Sequence, residues 1–116
     1  MSYTKFQRIK CYQTPNGRSP VDEFLKDLPE ETGLEVLDAL SLLNVGNVLA
    51  MPLSKNLHSI WPGLHELRFR DRQSQVRVIY FIKKNAGIYL LHAFRKKTRQ
   101  IPKEDLKLIL KRLKEI

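Results

Sequence analysis

Residues 62–99 read PGLHELRFRDRQSQVRVIYFIKKNAGIYLLHAFRKKTR, and the fold turns on how this stretch is divided. Three runs rich in β-branched and aromatic side chains, 64–69, 76–82 and 88–94, are separated by Asp71 to Ser74 and by Lys83 to Gly87. Those connections are short enough for hairpins, so the stretch predicts a three-strand antiparallel meander. Pro62-Gly63 supplies the turn that precedes it. The third strand is apolar on both faces, which places it inside a sheet.

Working outward, Phe6 to Tyr12 alternates weakly and predicts a first strand. Thr14 to Arg18 is turn chemistry. Ser19-Pro20 then gives a helix cap followed by proline at the first helical position. Asp22 and Glu23 fall in the first turn, where the helix dipole favours them, and Pro29 ends this helix. Leu34, Leu37, Leu40 and Leu43 recur at helical spacing within a second helix over 30–45, with Gly46 as its stop. Residues 47–57 read as irregular. Ile101-Pro102 opens a last helix whose core stripe is Leu106, Ile109, Leu110 and Leu113. The expected order is β-α-α-β-β-β-α: an α+β fold with an antiparallel sheet, a helical hairpin and a C-terminal helix, in one domain over 1–116.

The chain has 116 residues and a formal net charge of +9. The charge is unevenly spread. Residues 1–52 carry a net −2 and residues 53–116 a net +11. A field of that sign attracts phosphate backbones over a Debye length of about 8–10 Å. Its alternative readings are a solvated basic surface or an acidic protein partner. With Cys11 as the only cysteine no intrachain disulfide can form, which suits a reducing compartment. Apolar runs are far below the roughly 20 residues of a membrane span. The start of the chain lacks a stretch of signal-peptide length. A soluble cytoplasmic protein is expected.

No phosphate loop, metal-spaced cysteine pair or G-x-S-x-G is present. The histidines His58, His65 and His92 are far apart in sequence, so neither a metal nor a cofactor is expected. What remains is basic. Glu66, Arg68 and Arg70 alternate along one face of the first meander strand. Arg77 interrupts the apolar face of the next, and it admits two readings: an ion pair with Glu66, or a phosphate ligand using its planar fork. Arg95-Lys96-Lys97-Thr98-Arg99 puts four cations in five positions just after a buried strand. Such a set can cut RNA without a metal, because fixed cations stabilise the charge that develops as the ribose 2′-OH attacks phosphorus. A lysine among other cations has its pKa pushed down and becomes a better proton shuttle.

GLHELR at 63–68, VRVIYF at 76–81, LLHAFRKKT at 90–98 and the Ile101-Pro102 helix start together resemble the RelE/ParE toxin superfamily, and most closely its phage-derived HigB-like branch. SPVDEFL at 19–25 fits as well. The resemblance implies a RelE-like (microbial RNase-like) fold and a toxin of a type II toxin–antitoxin system. It further implies ribosome-dependent mRNA cleavage and a cognate helix-turn-helix antitoxin. The matching site positions are Arg68, Arg77, Tyr80, Arg95, Lys96 and Lys97, with Lys55, Arg70 and Arg99 as RNA contacts. Arg77 and Arg95 would carry transition-state charge. Lys96 or Lys97 would orient substrate or move protons, and Glu66 would orient an arginine or act as base. Some RelE-type toxins carry a C-terminal tyrosine and classical HigB a C-terminal acidic–Tyr–His cluster, whereas this sequence ends KRLKEI and its last tyrosine is Tyr89. The base is left open among Glu66, Tyr80, His65 and His92. Alternatives in other classes are a ParE-like gyrase-binding toxin and a basic RNA-binding regulatory module. Trp61 reads as packing rather than base stacking.

Overall fold

The computed structural model describes residues 7–96 and 98–116. Its elements are β1 (Ile9–Cys11), α1 (Pro20–Lys26), α2 (Glu30–Asn44), β2 (Ser54–Asn56), β3 (Leu64–Arg70), β4 (Gln75–Lys83), β5 (Gly87–Lys96) and α3 (Lys103–Lys114). Pro20 takes the first helical position of α1, and Ser19 stands at its N-cap without a side-chain capping bond. Val45 closes α2, after which Gly46 turns the chain at φ +95°. Phe6, expected in the first strand, lies outside the described residues.

The strands form one sheet in the order β1-β5-β4-β3-β2. The three-strand meander is present, with β3–β4 and β4–β5 antiparallel. Two expectations are corrected. The sheet is mixed rather than antiparallel, because β1 pairs parallel with β5, Ile9 opposite Ile88. Side-chain alternation reports which face a residue occupies and carries no record of strand direction, so the sequence could not distinguish the two pairings. Residues 47–57 are not wholly irregular either. Ser54–Asn56 forms β2 and pairs antiparallel with β3, Lys55 opposite Glu66. Three polar residues on a sheet edge give no hydrophobic period to detect.

Register divides the core. On one face, Leu67, Phe69, Val76, Val78, Tyr80 and Leu90 pack against α1 and α2, through Val21, Leu25, Val36 and Leu40. On the other, Leu64, Ile79, Leu91 and Phe94 pack against Ile109 and Leu113 of α3. Trp61 is partly buried against this second cluster. The pairing steps from Ile79–His92 to Tyr80–Leu90, so Leu91 is an extra residue in β5. Ordinary alternation sends the neighbours Leu90 and Leu91 to opposite cores, and the bulge sets Leu91 and His92 together on the α3 side. Covered by helices on both faces, β5 reads as apolar on both sides.

The parallel join of β1 to β5 depends on Gly87. Its φ is +119°, and a Cβ there would stand 2.6 Å from the Arg8 carbonyl oxygen. That same oxygen accepts the Ile88 amide at 2.7 Å. Gly87→Ala must therefore push β1 off the sheet or strain the turn, at about 1–3 kcal/mol. The urea midpoint should fall accordingly, and a midpoint equal to that of wild type would refute this account of the β1 edge.

Candidate functional site

Alternation in β3 sends Leu64, Glu66, Arg68 and Arg70 to the α3 side of the sheet and His65, Leu67 and Phe69 to the helical-hairpin side. Lys55 stands opposite Glu66, Arg77 opposite Arg68, and Lys96 opposite Gln75. Four strands thus deliver cations to one end of one sheet face, beyond the reach of the apolar residues that α3 covers.

Glu66 is their hub. It is only 1% exposed. Its Oε1 lies 3.6 Å from Arg77 Nε and 3.7 Å from Arg68 Nε, and its Oε2 lies 3.7 Å from Lys96 Nζ. These are ion-pair separations too long for hydrogen bonds. Glu66 Oε2 and Arg77 Nε are both buried without a hydrogen-bond partner. At an effective dielectric constant near 20, each such attraction is worth about 4 kcal/mol before desolvation. One carboxylate faces three cations, so the ensemble keeps a positive excess.

Arg77 is held from behind. Its Nη1 donates to the carbonyls of Phe69 and Val76 at 3.2 Å each, and its Nη2 donates to Gln75 Oε1. At 3% exposure it is the ion-pair reading of this arginine that the geometry displays. Burial lowers its pKa, with the Glu66 charge acting in the opposite sense. Burial likewise pushes the Lys96 ammonium below the ordinary lysine value. Glu66 opposes this shift, while Arg77, Arg68 and Lys55 reinforce it.

In front of this hub opens a cleft of about 410 Å³ lined by Lys55, Arg68, Gln75, Lys96, Thr98 and Arg99. Among the described residues its lining holds no carboxylate and no imidazole. Gln75 and Thr98 were missed as site residues. Thr98 belongs to the quoted basic run, but Gln75 announces itself only through its register opposite Lys96 and Arg70.

The remaining site candidates lie elsewhere. Tyr80 is 1% exposed on the helical-hairpin side, its hydroxyl 2.6 Å from Ser54 Oγ, and burial raises its pKa. His65 stacks on the Tyr80 ring, 5.0 Å between centroids, with Nδ1 2.9 Å from the Gly63 carbonyl oxygen. Arg95 is tied to the turn between β3 and β4. Its Nη1 donates to Asp71 Oδ1 at 2.8 Å and its Nη2 lies 2.8 Å from Asp71 Oδ2. That arginine holds the Asp71 carboxyl well below the usual carboxylate range. His92 sits under α3, with Nε2 2.6 Å from Asp105 Oδ1 and Nδ1 3.2 Å from Arg112 Nη1. Since Arg112 can only donate, Nδ1 accepts and Nε2 carries the proton in the neutral ring. Arg70 is exposed and borders a trench beside Glu35 and Asp38 rather than the cleft. Lys97 lies outside the described residues.

Residues 23–114 match the family model described as Phage derived protein Gp49-like (DUF891). No curated protein matches the chain.

The hub itself is testable. Glu66→Gln removes the one negative charge among three buried or half-buried cations. It should cost about 3 kcal/mol or more at low salt, read from the urea midpoint. Millimolar sulfate should restore more stability to this variant than it adds to wild type, because an anion in the cleft replaces the lost charge. Equal sulfate responses would argue against Glu66 as the counter-charge.

Proposed function

The chain belongs to the Gp49-like phage-derived protein family, and from that premise we propose that it is a toxin of the RelE/HigB kind that cleaves mRNA. The observation that carries the reading is the convergence of Lys55, Arg68, Lys96 and Arg99 on one cleft, with the Glu66 carboxylate that pairs with Arg68 and Lys96 buried behind them. The proposal includes a RelE-like, microbial RNase-like fold, action on the ribosome, and neutralisation by a cognate helix-turn-helix antitoxin. Among the described residues no helix is long and apolar enough to cross a membrane, and action on mRNA in the cytoplasm is part of the same proposal.

The chemistry follows from the lining. A scissile phosphate in the cleft meets Arg68 and Arg99, whose guanidinium forks suit two phosphate oxygens at once. The ribose 2′-oxygen attacks phosphorus, the bond to the 5′-oxygen breaks, and a 2′,3′-cyclic phosphate and a free 5′-hydroxyl result. The attacking hydroxyl gives its proton to the Lys96 amine, whose free-base form is favoured by burial and by the surrounding cations. Lys55, exposed at the cleft's edge, returns a proton to the leaving oxygen. Arg77 touches no substrate in this scheme; it positions Glu66, and Glu66 positions Arg68 and Lys96. Placing Arg77 in this supporting role departs from its expected part as a phosphate ligand.

One observation favours a second reading, an RNA-binding module without cleavage: the described cleft lining offers no imidazole or carboxylate base. Expression in a bacterial host separates the two, since cleavage predicts arrested translation and cut transcripts. Lys96→Arg keeps the charge and removes the base, so cleavage should fall about 10²–10⁴-fold while RNA binding persists. The sign of the pH dependence is fixed. A lowered lysine pKa means that the free amine appears earlier as pH rises, so the wild-type rate should climb below the ordinary lysine value of about 10.4. That limb should vanish in Lys96→Arg. Intact cleavage by Lys96→Arg with an unchanged pH profile would sink the assignment.

A further inference from the structure

The sheet separates two helical surfaces of opposite sign. On the α1/α2 side, α2 carries Glu30, Glu31, Glu35 and Asp38 and no basic residue at all. On the α3 side, the outer face of α3 exposes Lys103, Lys107, Lys111 and Lys114. Among the described residues none of these lysines takes part in an ion pair; the lysines that do are Lys26 and Lys96. Their spacing places them along one ridge, about 6 Å apart where four residues separate them and about 16 Å from first to last. The inner face of the same helix is fixed to the sheet by Ile109 and Leu113 and by Arg112, whose Nη1 donates to the Leu91 carbonyl at 2.8 Å. The ridge is therefore a rigid row of charge rather than a loose tail.

Its position matters more than its charge. The cleft is built on the same sheet face that α3 covers, and Thr98 and Arg99 of the cleft lead directly into the helix. From Arg99 to Lys103 the chain can reach no more than about 14 Å. A polyanion seated in the cleft thus has a path along α3 on which the four lysines outnumber the exposed Glu104. In the opposite direction it meets the carboxylates of α2, where Glu35 and Asp38 border the trench beside Arg68 and Arg70. The molecule is polarised across its sheet, and at physiological salt a Debye length of about 8 Å makes the local sign decisive over the net charge.

We propose that the α3 lysine ridge is a second RNA-binding element, which holds the backbone of the strand running out of the cleft. This rests on the reading of the cleft as an RNA phosphate site. The ridge offers no group that reads bases, so its grip is on phosphates, independent of sequence and strongly dependent on salt. It makes affinity grow with RNA length, while the cleft alone sets what happens to the scissile phosphate.

The test uses the full chain and two uncleavable 2′-O-methyl oligoribonucleotides, one of about 20 nucleotides and one of about four. Lys103, Lys107, Lys111 and Lys114 are replaced together by Gln, which keeps helix propensity. The variant should bind the long probe roughly tenfold or more weakly near 0.15 M salt, with a salt slope shallower by about 3, or roughly 0.7 for each lost phosphate contact. Its affinity for the short probe should match that of wild type. Lys55→Gln, which alters the cleft and not the ridge, should weaken both probes. Long-probe affinity and slope preserved in the four-lysine variant, with Lys55→Gln still impaired, would overturn the ridge and spare the cleft. Failure of wild type to bind either probe would overturn both.

Discussion

The carboxylate of Glu66 is the point on which the basic site depends. Arg68, Arg77 and Lys96 come from three different strands and repel one another, yet each stands within 4 Å of the same buried side chain. Without it, burying Arg77 and Lys96 would leave isolated charges in a low-dielectric sheet, a far larger penalty than either could recover by packing. With it, the three cations are fixed and still outnumber their counter-charge. The surplus is what a phosphate would meet.

The backbone arranges this without any special geometry at the site. Period-two alternation lines up Lys55, Glu66, Arg68, Arg77 and Lys96 on one face, and the pairing registers bring them side by side. Support comes from both layers. The helical hairpin packs the reverse side with Tyr80 and its neighbours, while α3 seals the apolar part of the same face and leaves the charged end open. The arginine on the reverse side, Arg95, is absorbed by Asp71 in a tight turn. Its charge stabilises the β3–β4 connection and adds nothing to the cleft.

Much of this was legible beforehand. The meander, all three helices and the α+β class follow from periodicity and turn residues, and the basic character of the 64–99 segment follows from composition. What escaped was whatever depends on direction or on partners far away in sequence. Strand direction hid the parallel β1–β5 join. Polarity hid β2, and with it the reason Lys55 reaches the cleft at all. A string of basic residues does not reveal which neighbour neutralises which, so Arg95 and Lys96, adjacent in sequence, looked alike. Alternation sends them to opposite faces, and Asp71 meets only one of them. Tyr80 followed the same logic: a hydroxyl in an apolar strand has no preferred reading until its partner, Ser54, is seen.

The parallel pairing of β1 with β5 also bears on how the molecule comes into being. Ile9 must wait for Ile88, so a strand made early has no place in the sheet until most of the chain exists. Contacts of such long sequence separation close late, because the entropy of the intervening loop is lost before the pairing is gained. The β3–β4 and β4–β5 hairpins, by contrast, join neighbours. Assembly from the middle outward follows, with the N-terminal edge strand as the last clasp.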